Sequence, residues 1–224
     1  VADFPTDPVG GANLSLGDDD SIEVVLTGGL RVPFFGVLRT NLFVGSNGYL
    51  TFGAGDDAYT ESLASHFGFT RISLLFDDLD PTSGGTISWK QLPDRVAVTW
   101  QDIPQYGQGD QNSFQLELFS NGVVRLTWLG LDAVDGLAGL SQGLGTPADF
   151  ISSDLSAYVT CALQDSDADG MADVWETANG LLVGVNDATN NQDGDAWLKT
   201  QEFVADPSPT TSNEPLRVMV MFVT

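Results

Sequence analysis

Twelve consecutive residues, 165–176, carry oxygen atoms at the spacing that a loop uses to wrap one calcium ion. Such a loop takes ligands from positions 1, 3, 5, 7, 9 and 12 and needs glycine at position 6. The ligand positions hold Asp165, Asp167, Asp169, the Met171 carbonyl, Asp173 and Glu176, with Gly170 at the turn. The clustered carboxylates would repel one another without a cation, which disfavours the alternative of a solvated acidic turn. All-oxygen ligation predicts Ca²⁺ rather than Mg²⁺.

A second, degenerate copy of this loop spans residues 191–202. Its predicted ligands are Asn191, Asp193, Asp195, the Trp197 carbonyl and Glu202. Ala196 replaces the turn glycine, and Lys199 at position 9 has no oxygen to offer. We therefore expect two calcium ions, the second bound more weakly than the first.

Each loop is followed by a short apolar segment that we predict to be helical, at 174–181 and at 198–204. Paired loops with such helices resemble the dockerin-like and thrombospondin-type-3-like calcium repeats of secreted bacterial proteins. The resemblance spans about residues 163–207 and implies an extracellular location. Because this segment has few apolar residues to bury, we expect it to fold only with metal.

The charge of the chain limits the classes of partner. The net charge of -23, from 31 acidic and 8 basic residues, disfavours nucleic acid and anionic membranes and favours cations. No apolar run approaches the roughly 18 residues of a membrane span, so we expect neither a span nor an uncleaved signal peptide in these residues. The start at Val1 rather than Met is what we expect of a processed or excised product. Cys161 is the single cysteine, so we expect no internal disulfide. A small buried or half-buried apolar side chain is the preferred interpretation, with a reactive thiol or an intermolecular bridge as the alternatives.

Residues 1–158 consist of short apolar runs separated by Gly, Asn, Asp and Pro, without a helical period. This texture predicts a mainly β fold, an antiparallel β-sandwich. The predicted strands are 22–26, 42–44, 49–52, 72–76, 86–91, 95–100, 113–119, 123–129 and 137–140. Asn47 and Gly48 predict a tight turn between the second and third strands.

The hairpin around Gly122 is the local structure that side-chain pairing specifies best. A two-residue loop would place apolar residues opposite charged ones. A three-residue loop closed by Gly122 instead pairs apolar with apolar and charge with charge. The pairs it predicts are Leu118 with Val124, Leu116 with Leu126, Phe114 with Trp128 and, on the outer face, Glu117 with Arg125. In the strand before it, alternation predicts that Val96, Val98 and Trp100 are buried.

Several of these segments resemble the nidogen-type extracellular β domain. The residues that carry the resemblance are 42–53 (LFVGSNGYLTFG), 75–81 (LFDDLDP), 84–86 (GGT), 94–100 (DRVAVTW) and 114–119 (FQLELF). It covers about residues 30–145 and consists of strand patterns rather than chemistry. It implies a matrix or adhesion context and offers no catalytic residues.

Two patterns that could indicate an enzyme are better explained as structure. A Gly-x-Ser-x-Gly pattern surrounds Ser141, but no helix pattern follows it and the single histidine, His66, precedes it. Asp77 and Asp78 point to opposite faces of a strand, so they cannot confront one substrate. We predict no enzyme activity and a structural His66. Capping of a turn is the preferred role of Asp77, Asp78 and Asp80, with a third calcium site as the alternative.

The chain ends with a Pro/Ser/Thr-rich linker and an apolar run at 216–223 that we predict to be a strand. A strand that is apolar on both faces aggregates as a free edge, so it must pair. Three partners are open to it: the chain's own sheet, a following domain, or a neighbouring copy, which would generate a polymer.

The sequence thus divides into a β-sandwich (1–160), tandem calcium loops (161–207) and a linker with a terminal strand (208–224). It predicts a non-enzymatic extracellular or cell-surface calcium-binding module that acts in surface assembly or adhesion. Its expected partners are calcium and copies of itself or other surface proteins. The alternative is a carbohydrate-binding module, in which Tyr59, Tyr106 and Phe69 would stack on a glycan.

Overall fold

The computed structural model describes residues 3–148, 150, 166–171, 173–191, 198–199 and 217–222. The chain forms two compact units. The first comprises Val1–Ile151 with Val220–Thr224, and the second comprises Ser152–Met219. The predicted boundaries at 160 and 207 stay predictions.

Two antiparallel sheets make up most of the described chain. One has the order β1 (Ala12–Leu14), β8 (Thr86–Gln91), β9 (Arg95–Ile103), β10 (Asn112–Phe119), β11 (Val123–Leu131) and β13 (Arg217–Phe222). The other has the order β12 (Leu137–Gln142), β7 (Thr70–Phe76), β6 (Tyr49–Thr51), β5 (Asn41–Gly45) and β2 (Ser21–Val25). A small ribbon joins β3 (Val32–Phe34) to β4 (Val37–Arg39), and the helices with described bounds are α1 (Leu63–Gly68) and α2 (Asp173–Ala178). The predicted mainly β sandwich is confirmed, and each of the nine predicted strands has a counterpart.

The core lies between the two sheets. Trp100 and Phe114 from one sheet are fully buried, as are Leu42 and Ile72 from the other. The indole nitrogen of Trp100 donates to the Gly45 carbonyl at 3.1 Å, and that of Trp128 donates to the Leu74 carbonyl at 3.0 Å. Each large side chain therefore buries its apolar area without leaving an unsatisfied donor.

The β10–β11 hairpin has the predicted register. Leu118 pairs with Val124, Leu116 with Leu126, Phe114 with Trp128 and Glu117 with Arg125. Gly122 has φ +93°, and its amide donates to the Phe119 carbonyl at 3.1 Å, as the three-residue loop requires. Val96, Val98 and Trp100 are buried as predicted.

The outer face of this hairpin carries the predicted Glu117–Arg125 pair, but other parts of the chain cover it. Glu117 is 0% exposed. It binds Arg125 at 2.9 Å as expected, but it also binds Arg95 at 2.9 Å and accepts from the Thr6 hydroxyl at 2.6 Å. The N-terminal segment therefore covers the outer face, and the two arginines neutralise the carboxylate buried beneath it.

Helix α1 was not predicted, because it is too short for a hydrophobic period to be recognised. The hydroxyl of Ser62 caps it by accepting from the Ser65 amide at 3.0 Å. The sheet order places the terminal strand β13 beside β11. Pairing with the chain's own sheet, with a following domain or with a neighbouring copy stays a prediction.

Candidate metal centre

The described part of the loop at 165–176 curls because two of its residues have left-handed backbone conformations. Ala168 has φ +57° and Gly170 has φ +89°. The Asp169 amide donates to Asp167 Oδ1 at 3.2 Å, and the Met171 amide donates to Asp169 Oδ1 at 2.9 Å. These short side-chain to backbone bonds turn the chain at each aspartate and hold the carboxylates on one side of the loop.

Three of the predicted ligands converge. Single carboxylate oxygens of Asp167, Asp169 and Glu176 all lie within 4.8 Å of one another. Glu176, from α2, is 0% exposed, and neither of its oxygens has a hydrogen-bond partner among the described residues. A buried carboxylate without donors is unfavourable. A hard cation among these oxygens would supply what the protein does not, so the residues fit calcium.

The burial and the neighbouring carboxylates that make the Glu176 site suitable for calcium also change the pKa of Glu176. Burial raises the pKa of Glu176 first, and the negative charges of Asp167, Asp169, Asp173 and Asp187 raise it further. The charged form of the carboxyl is thus disfavoured by its surroundings unless positive charge is added to them.

The other predicted ligands of the first loop have different surroundings. Asp173 accepts hydrogen bonds from the amide of Ser166 at 2.8 Å and from its hydroxyl at 2.7 Å, which ties the start of the loop to its ninth position. The Met171 side chain is buried. Asp165 lies outside the described residues.

The second loop is described only at Asn191, which is exposed, and at Leu198 and Lys199. The predicted ligands Asp193, Asp195, Trp197 and Glu202 lie outside the described residues. Lys199 is 4% exposed, and its Nζ lies 2.6 Å from Asp187 Oδ2. Sequence reasoning missed Asp187 because it falls between the two loops, where no spacing rule assigns a role.

Two residues of the acidic turn after β7, Asp77 and Asp80, cap backbone amides, as preferred from the sequence. Asp80 accepts from the Thr82 amide at 2.9 Å and from the Ser83 hydroxyl. Asp77 accepts from the Asp78 amide and from the Gln105 side chain, both at 2.8 Å. These oxygens are engaged in holding the turn.

Asp78 forms an acidic cluster with Asp18 and Asp19, defined by carboxylate oxygens within 4.8 Å of one another. Burial and then the charges of Asp19 and Asp18 raise the pKa of Asp78 to about 6. Asn47 donates to Asp19 at 3.0 Å. Half-buried and exposed carboxylates commonly cluster without a metal, so we assign no site here.

The residues of the rejected hydrolase pattern have structural roles. Ser141 lies within β12 rather than at a turn, and its hydroxyl accepts from the Gly143 amide at 3.0 Å. His66 is 2% exposed, and its Nδ1 lies 3.0 Å from the Ser73 hydroxyl. Burial lowers the pKa of His66 to about 4, so it is neutral near pH 7.

The three aromatic residues considered for glycan stacking differ in how far they are exposed. Tyr59 and Tyr106 are half exposed, whereas Phe69 is partly covered and packs on Arg71. An open cavity of about 570 Å³ in the first unit is polar and has no aromatic residue in its lining. It is lined by Ser83, Gly84, Gly85, Thr86, Gln101, Asp102, Pro104, Gln108, Gly109, Asp110 and Gln111.

A family model described as NIDO related matches residues 4–192. No curated protein and no solved structure matches the chain. In the described part of the chain, no helix has the length and apolar character that crossing a bilayer requires.

Proposed function

Because the chain belongs to the NIDO-related family, we propose that it is a non-enzymatic extracellular module whose second unit binds calcium through the loop at 165–176. Nidogen-type domains are generally non-catalytic and typically extracellular. To these family properties the proposal adds three points: a second unit that depends on calcium, weaker binding of a second ion by the loop at 191–202, and a role in cell-surface assembly or adhesion.

The single observation that supports calcium binding best is Glu176. Its carboxylate is buried and without donors, and it faces two further carboxylates across less than 5 Å. Three clustered acidic groups at the surface would be weak support for a bound cation, because water would solvate them. A fully buried one needs a compensating charge, and in this site that charge is a hard cation.

The test is calorimetric titration of calcium chloride into the metal-stripped full chain and its Glu176→Gln variant. The substitution removes the bidentate ligand at position 12 with little change of shape, so the affinity should fall by roughly a hundredfold. Glu23→Gln, at an exposed position of β2, is the matched control and should bind like the parent protein. Magnesium should compete weakly, because the cage offers more than six oxygens.

Two further comparisons sharpen this test. Glu202→Gln should lose less affinity than Glu176→Gln, since its loop lacks the turn glycine and an oxygen at position 9. Chelator should open the second unit to protease, because its carboxylates repel one another when no ion is bound. A parent protein that takes up no calcium, or a Glu176→Gln variant with the parent's affinity, would contradict the proposal.

The assembly role has its physical basis in the terminal strand. A strand that pairs with the edge strand β11 can come from the same chain or from a second copy, because the hydrogen bonds are the same in both. Exchange of this strand between copies would convert a monomeric module into a chain of modules.

A further inference from the structure

A buried ion pair lies beside the carboxylates of the first calcium loop. Lys199 and Asp187 have side chains that are 5% and 12% exposed, and Lys199 Nζ lies 2.6 Å from Asp187 Oδ2. Lys199 holds the ninth position of the second loop, where the motif expects an oxygen ligand. Lys199, which we expect to weaken calcium binding by the second loop, therefore lies close to the first loop.

Asp187 connects this pair to the first loop in two ways. Its backbone amide donates to Asp169 Oδ2 at 3.3 Å, so it helps to orient a predicted ligand. Its charge also acts on Glu176. Asp187 Oδ1 is buried and has no hydrogen-bond partner among the described residues. Asp187 thus adds negative charge to the loop from a position that the twelve-residue motif does not include.

We infer that Asp187 and Lys199 are positioning residues that set the calcium affinity of the first loop from outside it. This inference rests on the proposed function. Asp187 strengthens binding by adding charge and by orienting Asp169. Lys199 opposes binding, because its fixed positive charge neutralises Asp187. Because Lys199 belongs to the second loop, its contact with Asp187 links the affinity of the first ion to a residue of the other loop.

The two substitutions therefore have opposite effects on calcium. Asp187→Asn removes a negative charge near the ion and should weaken binding by roughly tenfold. Lys199→Met removes the opposing cation and should tighten binding by roughly threefold, while the metal-free protein loses stability because Asp187 is left buried and unpaired. A pair with a merely structural role would weaken binding in both variants or in neither.

The experiment is titration of calcium alone into the full chain, in a parent that carries Asp78→Asn to remove the acidic cluster of the first unit. The first-loop site is identified as the one whose affinity Glu176→Gln lowers most. Asp57→Asn and Lys90→Met, both in the first unit, change the net charge by the same amounts and should leave this affinity unchanged. The double variant Asp187→Asn/Lys199→Met contains neither buried charge, so it keeps the test open if a single variant misfolds. Its affinity should lie between those of the two single variants.

The outcomes separate this inference from the proposed function. Weaker binding in Asp187→Asn with tighter binding in Lys199→Met supports the inference. A calcium site that Glu176→Gln weakens but that Asp187→Asn leaves unchanged overturns the inference alone. A change in the same direction in Asp187→Asn and Lys199→Met overturns it as well. A parent protein without a calcium site overturns the proposed function and the inference with it.

Discussion

Among the described residues of the first loop, two have positive φ, and one of these two is glycine. Gly170 has open space around it, so a methyl group there would meet no neighbour, and its value lies in the backbone conformation alone. Ala168 adopts the same left-handed region with a Cβ, which is unfavourable by about 1 kcal/mol. The loop therefore contains strain at position 4 that its ligand geometry requires.

We predict opposite effects of substitution at these two positions. Gly170→Ala should lower calcium affinity by roughly fivefold, because the bound loop must then hold a second Cβ in the left-handed region. Ala168→Gly should raise it by a smaller factor, because relief of strain is partly offset by the greater freedom of glycine in the unfolded loop. Calorimetry measures both.

Gly109→Ala is the control for these variants, since Gly109 has open space and no positive φ. It should leave calcium affinity unchanged. A Gly170→Ala variant that binds calcium as the parent does would mean that the bound loop does not need the left-handed conformation at position 6.

Single residues differ in how far the sequence can assign them. The spacing from Asp167 to Glu176 is local, so the motif predicts that their oxygens converge. Asp187 could not be predicted, because its role depends on a contact with Lys199 that no local pattern encodes. The burial of Glu117 was missed for the same reason, since Thr6, far away in the sequence, covers it.

Among the elements, the hairpin of β10 and β11 was the most predictable. Its strands are adjacent in the sequence, and pairing Glu117 with Arg125 excludes the other register. The helix α1 and the short strands β1, β3 and β4 were not predicted. They have three to six residues each, and their stability comes from the sheets they pack on rather than from their own pattern.

The terminal strand gives a prediction at the same scale. Deleting residues 214–224 should lower the melting temperature of the sandwich, because the β11 edge loses its neighbour. A synthetic peptide of residues 214–224 should restore it in proportion to peptide concentration. Tryptophan fluorescence follows the unfolding.

Light scattering distinguishes a strand retained by its own chain from one exchanged between copies. If the full chain has the mass of a monomer and the truncated chain has the mass of a shortened monomer, the strand pairs within its own chain. A full chain of multiple mass that falls to a monomer on truncation means exchange. An unchanged melting temperature after deletion would contradict pairing with β11.

The charge of the whole molecule makes its stability depend on pH in two directions. Carboxyls with raised pKa values, such as Asp78 and Glu176, favour the folded state as pH falls, because the folded state takes up their protons first. His66 acts in the opposite sense. Its pKa is about 4 in the folded protein against an ordinary value of 6.5, so only the unfolded chain binds the proton between these values.

We therefore predict that His66 lowers the free energy of unfolding as pH falls from about 6.5 to about 4, by at most about 1.4 kcal/mol per pH unit, and has no such effect above that window. In His66→Gln this contribution is absent, while the carboxyls remain. The difference between the parent and variant curves from denaturant unfolding isolates it. Parallel curves across the window would show that His66 is protonated equally in both states.

The indole bonds of Trp100 and Trp128 have a mechanical consequence. Apolar contacts between two sheets change little when one layer slides over the other, whereas a directional hydrogen bond breaks within about an ångström of displacement. The two bonds join β9 to β5 and β11 to β7, so they connect the two sheets at two separate points. Two such connections oppose both sliding and rotation of one sheet relative to the other. Tension applied to one sheet is thereby shared with the other, and the module yields by peeling a strand from an edge before its layers shear.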